Sequence, residues 1–587
     1  MSKRLIGTVS LFAGLAMPVL SQGEGGTAGD RKIWVDQVGY RPADAKIAWL
    51  SGPGASYSLV DQTSGQAVLS GSCGQPVLEP NSQEMIALID FSSWRTEGVY
   101  RIDVPGTGSS FPFRIAEDVY GELFAASLKM LYYQRCGIEL TSGLAGDFRH
   151  GACHLGEAEI LGTEKTLTAD GGWHDAGDYG KYVVPGAITL GHLLLAWELW
   201  PKALAVDVGI PESGMGVPDV LAEVRYELEW MLRMQDPEGG GVYHKLTSRT
   251  FPPLDTAPDS DLFSLVVSPI SYTATADFGA VMAMTARVWQ DYDPAFATTC
   301  LAAARKAHAW VGSNPFVPFT NPPGIVTGEY GDPRGQDEAL WMVVELLRTT
   351  GEPGFAAEVG QGLADPSFRA DSFGWADTGM FSVTGILAAD PSLLDEGTRR
   401  TAHKLLQARV AQLRGIAKDS PDRTMMAATD FIWGSNMSLM DQAMILLTAK
   451  RLDPEMVDAS SALDNLHYLL GRNALGKCFV TGFGSDPVMN PHHRPSLAAA
   501  VFRPIPGMVS GGPNSGLQDP VAKNDLAGQP PAKCFLDDSG TYSTNEVAIY
   551  WNSPLSYVLA ALDQQQASRD GTIQVTLRPQ GMIDDKR

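Results

Sequence analysis

"GGWHDAGDYGKY", residues 171–182, puts His174, Asp175 and Asp178 into one short run with Gly171, Gly172, Gly177 and Gly180. Glycines on both sides make this a turn rather than a helix or strand interior. Two carboxylates three residues apart in a tight turn can aim at one point. One then stays ionised as a base while the other positions water or tunes its pKa. A polar Asx-type turn meets the same pattern, so the rest of the chain has to decide between the two readings.

The chain has 587 residues, 44% of them apolar, which is enough for a large core and more than one domain. Its formal net charge is -23, from 67 acidic and 44 basic residues. Such a surface repels nucleic acid and anionic membrane and favours a neutral or cationic substrate. At the N-terminus, Lys3 and Arg4 precede an apolar run from Leu5 to Leu20, followed by small and polar residues. This pattern reads as a secretory signal peptide over residues 1–23. The run is shorter than the roughly 20 residues a membrane span needs, and Pro18 interrupts it. No cysteine follows it for a lipid anchor. The expectation is an exported protein, periplasmic or secreted. Six cysteines (Cys73, Cys136, Cys153, Cys300, Cys478 and Cys534) are too few to build a fold of this length from disulfides.

Residues 31–116 are short runs rich in Val, Ile, Tyr and Phe, such as "KIWVDQVGY", "EMIALIDFSSW" and "GVYRIDV", separated by Gly, Pro, Asn and Ser. They predict a small β-sandwich. From about residue 119 the period changes. "YGELFAASLKMLYYQR" and "PDVLAEVRYELEWMLRMQ" space their apolar residues by three and four, and Pro218 suits a first helical turn. Further helices are expected near 184–199, 272–290, 297–311, 336–349, 400–414, 438–451, 459–470 and 553–563. Long Gly/Pro/Asn-rich loops interrupt them at 236–270, 312–335 and 474–545. Helices of similar length suggest pairs set in a ring, which periodicity alone does not close. Residues 119–570 form this helical domain, and 571–587 are a peripheral tail.

Two more segments carry chemistry. "FLDDSGTYSTNEVAIYWNSP", residues 535–554, holds Asp537, Asp538 and Glu546. A carboxyl among Val547, Ile549, Tyr550 and Trp551 is set for a raised pKa and general-acid work. A simply hydrogen-bonded glutamate fits the same context. "NPHHRPS", residues 490–496, offers His492, His493 and Arg494 as donors to sugar hydroxyls, or as a polar surface turn.

Taken in order, these three stretches resemble glycoside hydrolase family 9, the cellulase family with an (α/α)6 barrel and an inverting mechanism. "FVTGFGSDPVMNPHHR" (479–494) is similar to its histidine signature. "SGMGVPDVLAE", "DFIWGSNMSLMDQA", "LGRNALG" and "PGMVSGGPNSGLQDP" extend the likeness over most of 120–563. "VDQVGYRP" resembles the N-terminal immunoglobulin-like module of one branch. The expected architecture is therefore an immunoglobulin-like sandwich followed by an all-α barrel.

The resemblance implies Asp178 as the base that activates water, Asp175 as its support and Glu546 as the general acid. It implies His492 and Arg494 as binders of sugar hydroxyls, with His493 between them. Asp537 orients the site, and Tyr179 and Trp551 pack against it or contact sugar. An inverting pair is separated by about 6.5–9.5 Å to admit water.

Cys136, Cys153, His154 and His174 are a donor set for tetrahedral zinc, although the residues by themselves favour two buried thiols and two polar histidines. The family branch implies the zinc, and four protein ligands make it structural. Asp337 and Glu338 with Asp377 look like a family calcium site; carboxylates favoured by a helix start give the same pattern. Cys478 and Cys534 are either a disulfide or buried thiols. No organic cofactor is implied.

The resulting function is hydrolysis of β-1,4-glucan, endo-acting. An exo-acting β-glucosidase or β-glucosaminidase is the rival, with the loop 250–270 as a block at one end of the cleft. A non-catalytic carbohydrate-binding protein is the remaining alternative. The implied partner is a β-linked oligo- or polysaccharide, with no nucleic acid and no membrane insertion of the mature chain.

Overall fold

Ten strands fold the first part of the chain: β1 (Ile33–Trp34), β2 (Gly39–Tyr40), β3 (Ile47–Ser51), β4 (Ser56–Asp61), β5 (Ala67–Ser72), β6 (Val77–Glu79), β7 (Glu84–Asp90), β8 (Gly98–Val104), β9 (Gly108–Ser109) and β10 (Phe113–Ile115). The computed structural model describes residues 32–499 and 501–569. The expected signal peptide and the tail 571–587 lie outside the described residues. One sheet has the order β1-β3-β7-β6; the other has β2-β10-β8-β4-β5, with β9 on β8. The alternation read in the sequence puts Tyr100, Ile102 and Val104 of β8 inward. They close a core with Tyr40, Leu50, Leu59, Ile89, Phe91 and Phe113.

Twelve helices of ten residues or more follow among the described residues: α1 (Gly121–Tyr133), α2 (Val183–Leu199), α3 (Asp219–Met234), α4 (Tyr272–Val288), α5 (Pro294–Ser313), α6 (Gln336–Thr350), α7 (Pro353–Leu363), α8 (Gly379–Ala388), α9 (Glu396–Asp419), α10 (Ser435–Leu452), α11 (Ser460–Leu469) and α12 (Ile549–Arg569). Their packing closes the ring. The even-numbered helices touch in the cycle α2, α4, α6, α8, α10, α12 and back to α2. Each odd-numbered helix packs outside, as α1 does on α12 and α5 on α4. This is an (α/α)6 barrel. The inner helices are buried nearly all round, and α2 (VVPGAITLGHLLLAWEL) is apolar on every face. Outer α9 buries only Ala402, Leu406, Val410, Leu413 and Ala417, a single stripe.

The structure departs from the sequence reading in three places. Helices α7 and α8 have no counterpart in that reading: α7 (PGFAAEVGQGL) carries a proline and three glycines, and α8 (GMFSVTGILA) is buried nearly all round, so neither shows a clear 3.6-residue period. Pro218 is the N-cap of α3 and not part of its first turn. A five-stranded sheet also joins residues 157–182 to the loop 236–270, in the order Thr166–Thr168, Glu157–Ile160, Leu265–Val267, Lys245–Ser248 and Lys181–Tyr182. Its last strand is the end of the 171–182 turn, so that turn is anchored at the rim by backbone pairing of Lys181 with Leu246.

The sandwich is sewn into the barrel by the residues after β1. Gln37 Nε2 donates to Gly476 O (2.6 Å), and its Oε1 accepts from the backbone N–H groups of Ser485 (2.9 Å) and Asp486 (2.7 Å). The Gln37 N–H donates to Leu470 O. Asp36 Oδ2 lies 2.8 Å from His467 Nδ1 on α11 and accepts from Tyr120 Oη. Trp34 lies so close to Gly476 (φ +60) that a Cβ there would overlap its ring. Cys478 and Cys534, which the sequence left as either a disulfide or buried thiols, are free and buried, so this loop is held by hydrogen bonds and not by a disulfide.

One side chain thus satisfies one buried and two partly buried backbone groups of the loop that runs on to His492. Gln37→Ala leaves them unpaired at a cost of about 2–4 kcal/mol. A lower urea midpoint together with reduced activity is the expected result. An unchanged midpoint would show that the seam is not held by this residue.

Candidate active site

The 171–182 turn is fixed from behind by two acids one helical turn apart on α3. Glu227 Oε2 accepts the Trp173 backbone N–H (2.6 Å), and Glu223 Oε2 accepts the Trp173 indole N–H (3.1 Å). Burial raises the Glu227 carboxyl to about 8. Glu223 is also paired with Arg135. Gly177 touches the 490–494 segment so closely that a Cβ would fall 2.0 Å from His492 O. Its own carbonyl accepts the Arg494 N–H (3.1 Å). A glycine is needed there because two backbones meet.

Asp175 and Asp178 are both buried and receive neutral donors. Tyr330 Oη donates to Asp175 Oδ2 (2.5 Å), while Asp175 Oδ1 has no partner. Asp178 Oδ2 accepts from the Gly180 N–H (3.0 Å) and from Tyr182 Oη (3.2 Å). Burial pushes the Asp175 carboxyl well up, the Tyr330 bond pulls it down, and the negative charge of Asp178 pushes it up again. Tyr330 has a left-handed backbone (φ 45), a conformation costing about 1–3 kcal/mol for a bulky residue and concentrated at functional sites. Sequence reasoning missed Tyr330, Tyr182 and Glu227. The only signal for Tyr330 was an aromatic between Gly328 and Gly331 inside a long loop.

Glu546 joins this pair. The backbone of His492 bridges to it: the His492 N–H donates to Asn545 O (2.9 Å), and the Glu546 carbonyl accepts the Gly511 N–H (2.8 Å). Burial first, then the charges of Asp178 and Asp175, hold the Glu546 carboxyl well above the usual range, against the pull of Arg494 and the Gly177 N–H. Three acids of different character therefore share one site, formed from segments that are remote in sequence.

The neighbouring candidates sort themselves by burial. His492 has Nδ1 2.7 Å from Ser539 O and its ring against Tyr542, which in turn packs on the exposed Trp433. His493, expected beside the sugar, is fully buried, with Nδ1 2.8 Å from Ser496 Oγ and Nε2 3.0 Å from Gln134 Oε1. It holds the loop and is removed from the substrate-binding set. Arg494 is also buried; its guanidinium donates to Gly177 O (2.8 Å) and twice to Pro252 O (3.0 and 2.8 Å). Its place is behind the surface, tying loop 251–263 to the 171–182 turn. Asp537 accepts the N–H groups of Met489 (2.9 Å) and Asn490 (2.8 Å) and pairs with Lys477 (3.0 Å), which orients the histidine segment. Asp538 caps the Gly540 N–H nearby. Tyr179 is buried, donating to Thr256 O (2.6 Å) and packing on the His154 and His174 rings. Trp551 is buried against Gly434 and Gly511. Both aromatics pack rather than face the cleft.

Cys136, Cys153, His154 and His174 bring one ligand atom each to within 4.8 Å of one another. Among the described residues this is the one such group tight enough to hold a metal ion. His154 Nδ1 is buried without a hydrogen-bond partner, while its Nε2 lies 3.2 Å from Asp261 Oδ2. One ring nitrogen free for a metal, with the other oriented by a carboxylate, is the arrangement of a metal-ligating histidine. Asp337, Glu338 and Asp377 form no such group. Asp337 Oδ2 accepts the Thr378 N–H and Asp377 accepts the N–H groups of Asp371 and Gly379. Glu338 is buried, and burial and the neighbouring acids Asp337, Asp277 and Asp332 push its carboxyl well up.

No helix among the described residues is long and apolar enough to cross a membrane. The sequence profile of Glycosyl hydrolase family 9 matches residues 120–559, and that of the cellulase N-terminal ig-like domain matches 28–109. Endoglucanase D of Acetivibrio thermocellus is 33% identical over 564 residues, covering 94% of this chain and 84% of its own. The structure of a single mutant of the thermostable endoglucanase from Alicyclobacillus acidocaldarius superposes with a TM-score of 0.86 at 42% identity, over 91% of this chain and 100% of the other. A Zn-binding triple mutant of the family 9 endoglucanase J30 superposes with a TM-score of 0.83 at 33% identity, over 89% of this chain and 99% of the other. With the closed barrel, the buried acid trio and these likenesses together, the chain belongs to glycosyl hydrolase family 9, in the branch that carries an N-terminal immunoglobulin-like domain, and it is a glycoside hydrolase.

Proposed function

We propose that the chain is an endo-acting β-1,4-glucanase that cleaves cellulose or related β-glucans with inversion. The observation that carries this reading is the division of labour among three acids in one site. Glu546, its carboxyl pushed well up by burial and then by the charges of the two aspartates, gives its proton to the leaving glycosidic oxygen. Asp178, with donors from Gly180 and Tyr182, is the carboxylate that takes a proton from the attacking water. Asp175 presents its unpartnered Oδ1 to the same water. Water attacks the anomeric carbon as the bond to the leaving oxygen breaks, so one proton is given up by Glu546 and one is taken by Asp178. His492 stands beside the turn as the sugar-facing member of its segment.

The Cys136, Cys153, His154 and His174 group fits zinc. Two sulfurs and two ring nitrogens fill a tetrahedron, so the ion would supply structure and fix His174 next to Asp175. Export to the periplasm or medium rests on the pattern of residues 1–23.

Glu546→Gln and Asp178→Asn should each lower kcat by about a hundred- to ten-thousand-fold while cello-oligosaccharide binding persists. NMR on wild-type digests should show the α-anomer first. A β-anomer product would overturn these roles.

Tyr330→Phe removes a bond that lowers the Asp175 carboxyl. Asp175 then binds its proton more tightly, and the acid limb of the pH–rate profile moves to higher pH. A profile with an unmoved acid limb would show that Asp175 ionisation does not matter to the rate.

Elemental analysis should find one zinc per chain, lost in Cys153→Ser along with several degrees of unfolding temperature. Wild-type protein that purifies and refolds without zinc would refute the site.

A further inference from the structure

The strand Lys245–Ser248 begins with a cation that the acid–base chemistry does not use. Lys245 is fully buried. Among the described residues its ammonium donates to neutral oxygens alone: Asn321 Oδ1 (2.6 Å), Gly328 O (2.6 Å), Thr327 Oγ1 (3.1 Å) and Thr327 O (3.2 Å). All four belong to the loop before α6 that carries Tyr330. A buried ammonium without a carboxylate beside it is expensive. Burial pulls Lys245 down to about 8, and the charges of Asp178 and then Glu329 push it back up. His244, the preceding residue, grips the same loop. Its Nε2 lies 2.8 Å from Glu329 O, and a carbonyl only accepts, so Nε2 carries the hydrogen and Nδ1 accepts from Ser271 Oγ (2.8 Å). Its ring stacks on Phe319 with 3.6 Å between centroids.

The residues held in this way lead straight to the two aspartates. The Gly328 N–H donates to Tyr182 Oη (3.2 Å), which itself donates to Asp178 Oδ2. Tyr330, two residues further on, has the left-handed backbone and donates to Asp175 Oδ2 (2.5 Å). Such a conformation persists only where the surround over-determines it, and the Lys245 and His244 bonds to residues 321–329 are that surround. Antiparallel pairing also sets Lys245 opposite Tyr182, with its Nζ 5.5 Å from the ring centroid. One cation therefore stands behind both hydroxyl donors.

We propose that Lys245 is a positioning residue for the hydrolysis, anchoring the loop 319–330 so that Tyr330 and Tyr182 deliver their hydroxyls to Asp175 and Asp178. It acts through those two tyrosines and does not touch substrate. The proposal rests on the roles given to Asp178 as base and Glu546 as acid. Its effect belongs to the water-activating half of the reaction. It falls on kcat and leaves binding and proton donation to the leaving oxygen alone.

A dinitrophenyl β-cellobioside separates the two halves, because dinitrophenolate departs without a proton while cellohexaose needs one. Lys245→Met keeps the length of the side chain and removes its donors. Its kcat should fall about ten- to a hundredfold, by the same factor on both substrates, with KM changed less than about threefold. Thr327→Val leaves the lysine in place, removes one of its acceptors and should lower kcat in the same pattern by about threefold. Combined with Tyr330→Phe, either variant should lose less than the product of the single losses, as residues acting through one contact do. An unchanged kcat, a loss carried by KM, a loss confined to cellohexaose, or fully multiplicative losses with Tyr330→Phe would each overturn the proposal. Should Lys245→Met not fold, Thr327→Val decides on the same readings. Glu546→Gln serves as the control and should regain activity on the dinitrophenyl glycoside. Failure of that recovery would strike at the acid assignment and not at Lys245.

Discussion

Three carboxyl groups in one water-poor site have to be kept from unfolding it, and no ion pair reaches Asp175, Asp178 or Glu546 among the described residues. Their partners are neutral: two tyrosine hydroxyls and a backbone N–H for the aspartates, a backbone N–H and the indirect charge of Arg494 for the glutamate. Neutral donors stabilise one ionised aspartate without cancelling its field. That field then adds to burial in raising the Glu546 carboxyl. A lysine or arginine paired to Asp178 would satisfy the charge better but would remove part of what raises the Glu546 carboxyl, which burial raises first. The separation of roles follows from leaving the aspartates without a direct ion pair; Lys245, near the Tyr182 ring, reaches Asp178 only through its field.

The rest of the architecture reads as the means of supplying those donors. An (α/α)6 ring makes a rigid wall of inner helices whose connections emerge at the rims. Tyr182 immediately precedes α2, Tyr330 sits in the loop before α6, and Glu546 lies just before α12. Each donor or acid is therefore tied to an inner helix. Tyr330 must adopt a left-handed backbone to reach Asp175, and only a well-packed surround can hold that strain. The sandwich belongs to the same scheme: Gln37 grips the loop that continues to His492, so a domain far from the chemistry fixes one of its walls.

Much of this was legible beforehand, for specific physical reasons. Alternation gave the sandwich, and long apolar-periodic segments gave ten of the twelve major helices, because both signals survive in a single sequence. The acid trio stood out because Asp175, Asp178 and Glu546 sit in glycine-rich or aromatic contexts tied to recognisable motifs. What stayed hidden was relational. Nothing in "NPHHRPS" says that His493 turns inward to Gln134 and Ser496 or that Arg494 spends itself on Pro252. Both depend on contacts across hundreds of residues. The acids at 337, 338 and 377 illustrate the converse, since a plausible string of ligands does not gather into a tight group in space.

The Cys/His tetrad connects these themes. His174 precedes Asp175, and Asp261 on His154 belongs to the loop 251–263. Tyr179 lies between, its ring on both histidines and its hydroxyl on that loop. A metal bound there would fix three things at once: the turn that aims the aspartates, the loop 251–263, and the packing between them. It would do so without touching substrate. Structural and catalytic parts therefore cannot be separated by distance from the scissile bond. A ligand set of four, closed to solvent, works on the reaction only through the geometry of its neighbours, and the neighbours here include the residue next to His174 in the chain.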